Sequence, residues 1–201
     1  SSTQALSAGS EAVLADKCHY VSSKGIGELR REAARYVNRE HGAEVDENNI
    51  LVGNGAKIFQ QLFCELFLDP GDGALVFSPF FPTYSANISR RGGRLITSKL
   101  LQQNKFRPSL EDVKRFLEQD EAPKAIFLNS PHNPTGGVTT EEDVAEICAL
   151  ILSKENVFLF SDEPYDQMAW SHRHVSPIGE RDMLDRCVAV YTMSKSYSMS
   201  G

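Results

Sequence analysis

Val157-Phe158-Leu159-Phe160 runs directly into Ser161-Asp162-Glu163-Pro164-Tyr165-Asp166. Four consecutive apolar residues leave no polar face, so the segment reads as a strand covered on both sides. Strands of that kind belong to mostly parallel sheets, in which ligands gather beyond the carboxyl ends of the strands. Asp162, at such an end, is drawn partly inside, and a buried carboxylate needs a cationic or hydrogen-bonding partner. A plainer role, N-cap of a following turn, fits the same residue.

Further short apolar runs extend the pattern outward at 50–52, 74–77, 95–97, 125–128 and 188–191. Helical spacing separates them. Residues 28–39 place Leu29, Ala33, Tyr36 and Val37 on one face, and Gly42 follows as a stop. A second helix after Gly55 carries Ile58, Leu62, Phe63 and Leu66. Ser109 with Asp112 opens a third, and Thr139 with Glu142 forms a capping box before Val144, Ile147, Cys148 and Ile151. This alternation predicts an α/β fold, a three-layer αβα sandwich around a mostly parallel sheet.

The chain has 201 residues, 41% hydrophobic and 24% charged, enough for one domain with a substantial core. Its net charge of −6 and the lack of a basic run argue against nucleic acid or an anionic membrane as partner. No apolar stretch approaches the roughly 18 residues that a membrane helix needs. Ser1-Ser2-Thr3-Gln4 begins no signal peptide, and the missing initiator Met is expected of a piece of something longer. Four scattered cysteines form no C-x-x-C pair. Three of them, set among apolar residues, read as core residues of a reducing compartment, so a cytoplasmic location is expected. His172 and His174 beside Trp170 read as a solvated loop, since no third metal ligand is spaced for them. The site is therefore read as metal-free.

The chemistry is sought just after each strand. Gly53-Asn54-Gly55-Ala56-Lys57 precedes a helix, where free N–H groups and the helix dipole favour an anion, although a plain strand-to-helix turn explains it as readily. No dinucleotide or Walker fingerprint is completed. Ser78-Pro79-Phe80-Phe81-Pro82-Thr83-Tyr84 is an aromatic, Pro-bounded loop that presents rings to a flat ligand, or else a hydrophobic plug. In Asn129-Ser130-Pro131-His132-Asn133-Pro134-Thr135-Gly136-Gly137, two prolines and two glycines fix an unusual backbone around Asn133, and either X-Pro bond is a candidate for cis. Thr192-Met193-Ser194-Lys195-Ser196 sets a lysine among small hydroxyl residues at a strand end. It is a candidate covalent nucleophile, weighed against an ordinary surface lysine.

Taken in order, Gly-Asn-Gly-Ala-Lys, Pro-Phe-Phe-Pro-Thr-Tyr, Asn-Ser-Pro-His-Asn-Pro-Thr-Gly, Ser-Asp-Glu-Pro-Tyr-Asp and Ser-Lys-Ser-Tyr-Ser-Met-Ser-Gly resemble the class I/II aminotransferases of the fold-type-I pyridoxal-phosphate superfamily. The resemblance covers nearly the whole chain. It implies a helical segment, 1–45, leading into a pyridoxal-phosphate-binding large domain, 46–201. Lys195 would carry the cofactor, pyridoxal 5'-phosphate, as a Schiff base and then move a proton at the substrate Cα. Asp162 would keep the pyridine nitrogen protonated. Asn133 and Tyr165 would hydrogen-bond the phenolic oxygen, and Phe81 would stack on the ring. Gly55, Ala56, Lys57 and Thr192 would line the phosphate cup. Tyr20 would reach the phosphate of a neighbouring subunit, which implies a homodimer. The substrates implied are an amino acid and a 2-oxo acid.

Two features depart from that pattern. Pro164 stands where the family usually has Val or Ile, leaving Asp162 and Tyr165 in place. The chain also stops at Gly201, ahead of the arginines expected to clamp the phosphate and the substrate carboxylate, and ahead of the small C-terminal domain. Apolar surface is expected where those parts pack. Competing readings are a carbon–sulfur lyase or other elimination enzyme on the same scaffold, and a non-catalytic aminotransferase-like binding module. A Ser-His-Asp hydrolase is poorly supported, since G-x-S-x-G is absent.

Overall fold

The computed structural model describes residues 1–170 and 172–200. Six helices and five strands follow in the order α1 (Thr3–Leu14), α2 (Gly27–His41), α3 (Ala56–Phe67), β1 (Gly73–Ser78), α4 (Thr83–Arg90), β2 (Arg94–Lys99), α5 (Leu110–Gln119), β3 (Pro123–Asn129), α6 (Glu141–Leu152), β4 (Phe158–Asp162) and β5 (Cys187–Val190). The strands form one all-parallel sheet in the order β2-β1-β3-β4-β5.

Alternation along the strands builds two cores. Leu75, Phe77, Ile126, Leu128 and Leu159 face one way, against Val113, Phe116 and Leu117 of α5 and Val144, Ile147, Cys148 and Ile151 of α6. Ala74, Val76, Ala125, Phe127 and Phe160 face the other way, against Phe63 and Cys64 of α3 and Tyr84 and Ile88 of α4. The sheet is thus covered on both faces, the three-layer arrangement expected from its apolar strands. A smaller cluster of Ala34, Val37, Ala43 and Val45 anchors α2, which ends on Gly42 at φ 70°. The left-handed cap there suits glycine. Cys64, Cys148 and Cys187 are buried, Cys18 is exposed, and all four are free.

Several local expectations need correction. Residues 50–52 are not a strand; the Val52 N–H bonds only the Lys24 carbonyl and joins no ladder. The aromatic stretch 78–84 is not all loop, because α4 begins at Thr83 behind Pro82. The capping box before α6 sits one residue later, on Thr140 and Asp143. Thr139 instead bonds Ser130, its hydroxyl at 2.8 Å and its N–H at 3.1 Å. On α3 the buried face is Gln60, Phe63 and Cys64, while Ile58 and Leu66 are exposed. Helix α1 lies within the segment 1–45 expected to be helical; none of its residues is buried, and Leu6, Val13 and Leu14 are exposed.

Candidate active site

Strand β2 lies on one side of β1, while β3, β4 and β5 follow on the other. The winding direction therefore changes between β1 and β3, and a crevice opens there at the carboxyl ends of the strands. Asn129 ends β3, Asp162 ends β4, and the segment after β5 carries Thr192 and Lys195.

Asp162 is the electrostatic centre of this edge. It is 5% exposed, and one oxygen, Oδ2, accepts from the Tyr84 hydroxyl and from Gln60 Nε2 at 3.3 Å. Thr83 in turn donates to Gln60 Oε1, which fixes the amide orientation. The other oxygen, Oδ1, is buried without a hydrogen-bond partner. Burial pushes the carboxyl up to about 6; Tyr84 and Gln60 pull it down, and Glu163 adds to the rise. Burial and the adjacent Asp162 hold the Tyr84 phenol well above its usual range, so it stays a donor.

Asn129 ties two other pieces together. Its Nδ2 donates to the Asp162 carbonyl at 2.7 Å, and its Oδ1 accepts the Asn133 N–H at 2.8 Å. The loop between them has cis bonds at Ser130-Pro131 and Asn133-Pro134, and a third cis bond, Ser78-Pro79, follows β1. The His132 N–H bonds the Gly137 carbonyl at 2.8 Å, closing the loop on itself.

The remaining candidates lie on the segments that flank the strand ends. Lys195 Nζ lies over the Tyr165 ring, 5.6 Å from its centroid, and Tyr165 follows Asp162 by three residues. Thr192 Oγ1 accepts the Ser194 N–H at 3.2 Å and pairs with the Ser194 hydroxyl at 3.0 Å, shaping the turn that carries Lys195. Phe81 meets Tyr84 edge-on at 6.3 Å, and Lys57 Nζ sits 5.5 Å from the Phe81 centroid. Gly55 caps α3 at φ 79°, and Ala56 and Lys57 form the first turn. That helix packs on β4 and β5, so its N–H groups open toward the same edge. Tyr20 stands apart, fully exposed.

A protonated pyridine nitrogen suits the orphaned Asp162 Oδ1, since a buried carboxylate oxygen lacks only a donor there. The residues present therefore fit pyridoxal phosphate. Sequence reasoning missed Tyr84, Gln60 and Asn129 as parts of the site. The available signals were a Gln on the apolar face of α3 and a Tyr closing the Pro-bounded aromatic stretch.

His174 also departs from expectation. It is buried, with Nε2 at 2.7 Å from Glu163 Oε2, rather than lying in a solvated loop. The reason is Glu163, a fully buried carboxylate that needs a donor.

A parallel sheet with an acid, a lysine and a proline-fixed asparagine at successive strand ends defines a fold-type-I-like cofactor scaffold. The sequence matches the family described as aminotransferase class I and II over residues 3–201, and the chain belongs to that family. It is 35% identical over 184 residues to an aspartate aminotransferase of Thermotoga maritima, covering 90% of this chain and 48% of that protein. It is 31% identical over 194 residues to an arginine–pyruvate transaminase of Pseudomonas aeruginosa, covering 95% and 48%. Among solved structures, a Thermus thermophilus aspartate aminotransferase single mutant superposes with a TM-score of 0.91 at 29% identity, covering 97% of this chain and 50% of that one. The chain spans about half the length of the relatives it matches. Among the described residues, no helix is long and apolar enough to cross a membrane.

Proposed function

We propose that the protein is a pyridoxal-phosphate-dependent aminotransferase that exchanges an amino group between an amino acid and a 2-oxo acid. Residues 46–201 form its cofactor-binding large domain. The observation that carries this reading is the half-satisfied Asp162 carboxylate, held on one side by Tyr84 and Gln60 and open on the other.

When bound, the cofactor supplies an electron sink for the carbanion at the substrate Cα. The chain supplies everything around it. Asp162 would accept a hydrogen bond from the pyridinium N–H, and its negative charge would keep that nitrogen protonated. Lys195 would hold the cofactor through Nζ and, once its amine is free, would move the proton at the substrate Cα. Asn133 and Tyr165 would donate to the cofactor's phenolic oxygen, and Phe81 would stack on the ring. The N–H groups of Gly55, Ala56 and Lys57 and the Thr192 hydroxyl would take the phosphate at the positive end of α3. Tyr20, fully exposed, would serve a neighbouring subunit of a homodimer. The enzyme works in the cytoplasm. The names of the relatives support transamination, and two of them name different amino acids.

The test is the full-length protein, loaded with pyridoxal phosphate and given a panel of amino acids with 2-oxoglutarate. Glutamate formation that depends on both substrates supports the proposal. Pyruvate and ammonia released without an acceptor would instead mark an elimination enzyme, and turnover surviving Lys195→Ala would contradict the assigned role.

A further inference from the structure

A second polar cluster lies where the end of α2 meets the segment after β4, and its Glu163 follows Asp162 directly in sequence. One donor atom each from His41, Glu163 and His174 lies within 4.8 Å of the others. The three side chains are only 2%, 0% and 2% exposed. Glu163 is satisfied, with Oε2 at 2.7 Å from His174 Nε2 and Oε1 accepting the Ser176 hydroxyl at 2.7 Å. The imidazoles are not. His41 Nδ1, His41 Nε2 and His174 Nδ1 are buried without a hydrogen-bond partner. Orphaned buried polar atoms are costly and uncommon. Each of the two facing rings, 5.8 Å apart between centroids, thus keeps a nitrogen free, and one ion can take one nitrogen from each.

Asp166 stands at the edge of the cluster, with Oδ2 at 3.4 Å from His41 Nε2. A cavity of about 170 Å³, lined in part by His41, Asp166 and His174, opens beside them. Its cationic lining residue, Arg173, is engaged with the Glu40 carbonyl.

We propose that His41, Glu163 and His174, with Asp166 or a cavity water as fourth ligand, form a site for a zinc-like divalent transition-metal ion. Imidazole with carboxylate is a zinc-type donor set, whereas magnesium and calcium take oxygen ligands. Bond lengths of about 2.0–2.1 Å in a tetrahedron put donor atoms ~3.4 Å apart. The cluster's separations run from 2.7 Å to at most 4.8 Å and bracket that value, so small side-chain rotations seat the ion. Glu163 and Asp166 flank Asp162 and Tyr165 on one short segment. The ion therefore pins to α2 the stretch of chain that carries two cofactor-facing residues.

The experiment uses full-length protein stripped of metal and titrated with a zinc salt against a chromophoric chelator. Thermal unfolding is followed in parallel. The expected result is one equivalent bound with a dissociation constant below about 1 µM, a rise in Tm of several degrees, and no such rise with magnesium. His41→Phe keeps a ring stacked on Tyr191 and removes both nitrogens; it is expected to weaken binding at least tenfold. Lys195→Ala is expected to bind zinc like the parent protein, which separates this site from the cofactor site. Absence of stoichiometric binding, or unchanged affinity in His41→Phe, would overturn the proposal.

Discussion

The Tyr84 hydroxyl, on α4, donates to Asp162 Oδ2 at the end of β4, and both residues are buried. The bond joins an outer-layer helix to the strand end that carries the acid. It also commits one carboxylate oxygen to the protein and leaves the other for a ligand. Removing the donor is expected to loosen the carboxylate without removing it. Tyr84→Phe should weaken pyridoxal-phosphate affinity roughly tenfold to a hundredfold, in line with about 1.5–3 kcal/mol for a hydrogen bond to a charged group. Titration of the cofactor by absorbance checks this. Tyr84→Phe should also raise the Asp162 pKa further, a change that a purely packing role for the ring would not produce.

The Asp162 shift makes a prediction for the cofactor-free protein. Its folded-state pKa of about 6 lies above the unfolded value near 4. The folded state therefore binds the extra proton, and this contribution to stability is full below about pH 4 and lost as pH rises through about 6. The loss is about 3 kcal/mol at most. Asp166 slopes the opposite way: burial disfavours its charge, but the neighbouring His41 ring and hydrogen bonds from Tyr36 and Gln167 outweigh that and lower its pKa. The readout is accordingly the difference between the parent protein and Asp162→Asn in urea denaturation at pH 5 and pH 7.5. The parent should lose more stability across that interval than the variant does.

Asn129 bridges the Asp162 carbonyl and the Asn133 N–H, so Asn129→Ala leaves both groups short of a partner. The expected cost is about 2–3 kcal/mol, seen as a lower urea midpoint, with a larger loss of cofactor affinity than Tyr84→Phe causes.

Gly55 sits at φ 79° at the start of α3, with no atom within 4 Å of where a Cβ would be. The obstacle to a side chain is therefore backbone conformation alone. Gly55→Ala should cost about 1 kcal/mol and disturb the first-turn N–H groups. Its effect on affinity for pyridoxal phosphate should exceed that on affinity for pyridoxal, measured side by side.

The strands of the sheet were legible because 74–77, 125–128 and 157–160 have no polar face to expose, which leaves a doubly covered sheet as their only comfortable setting. The same rule misled at 50–52, where three aliphatic residues precede a glycine but find no neighbouring strand. Helix α4 was hidden because Pro79 and Pro82 read as loop markers, although a proline at the entrance to a helix gives up no intrahelical bond. The capping box slipped by one because Thr139 and Thr140 are adjacent and chemically equal; only the Ser130 contact separates them. That Asn133, Asp162, Tyr165 and Lys195 fall at or just after strand ends was legible from the order of the motifs along the chain. Gln60 and Tyr84 were not, because 102 and 78 residues separate them from the carboxylate they hold. His41, Glu163 and His174 escaped for the same reason: α2 contributes the third member from the far end of the chain.

The central claim is that Lys195 tethers the cofactor that Asp162 faces, and chemical trapping tests it most directly. The full-length protein, loaded with pyridoxal phosphate, is reduced with borohydride, digested and mapped by mass spectrometry. The account predicts a single phosphopyridoxyl label on the peptide containing Lys195, with none in Lys195→Ala. A label on another lysine, or no label in folded protein shown to bind the cofactor, would contradict it.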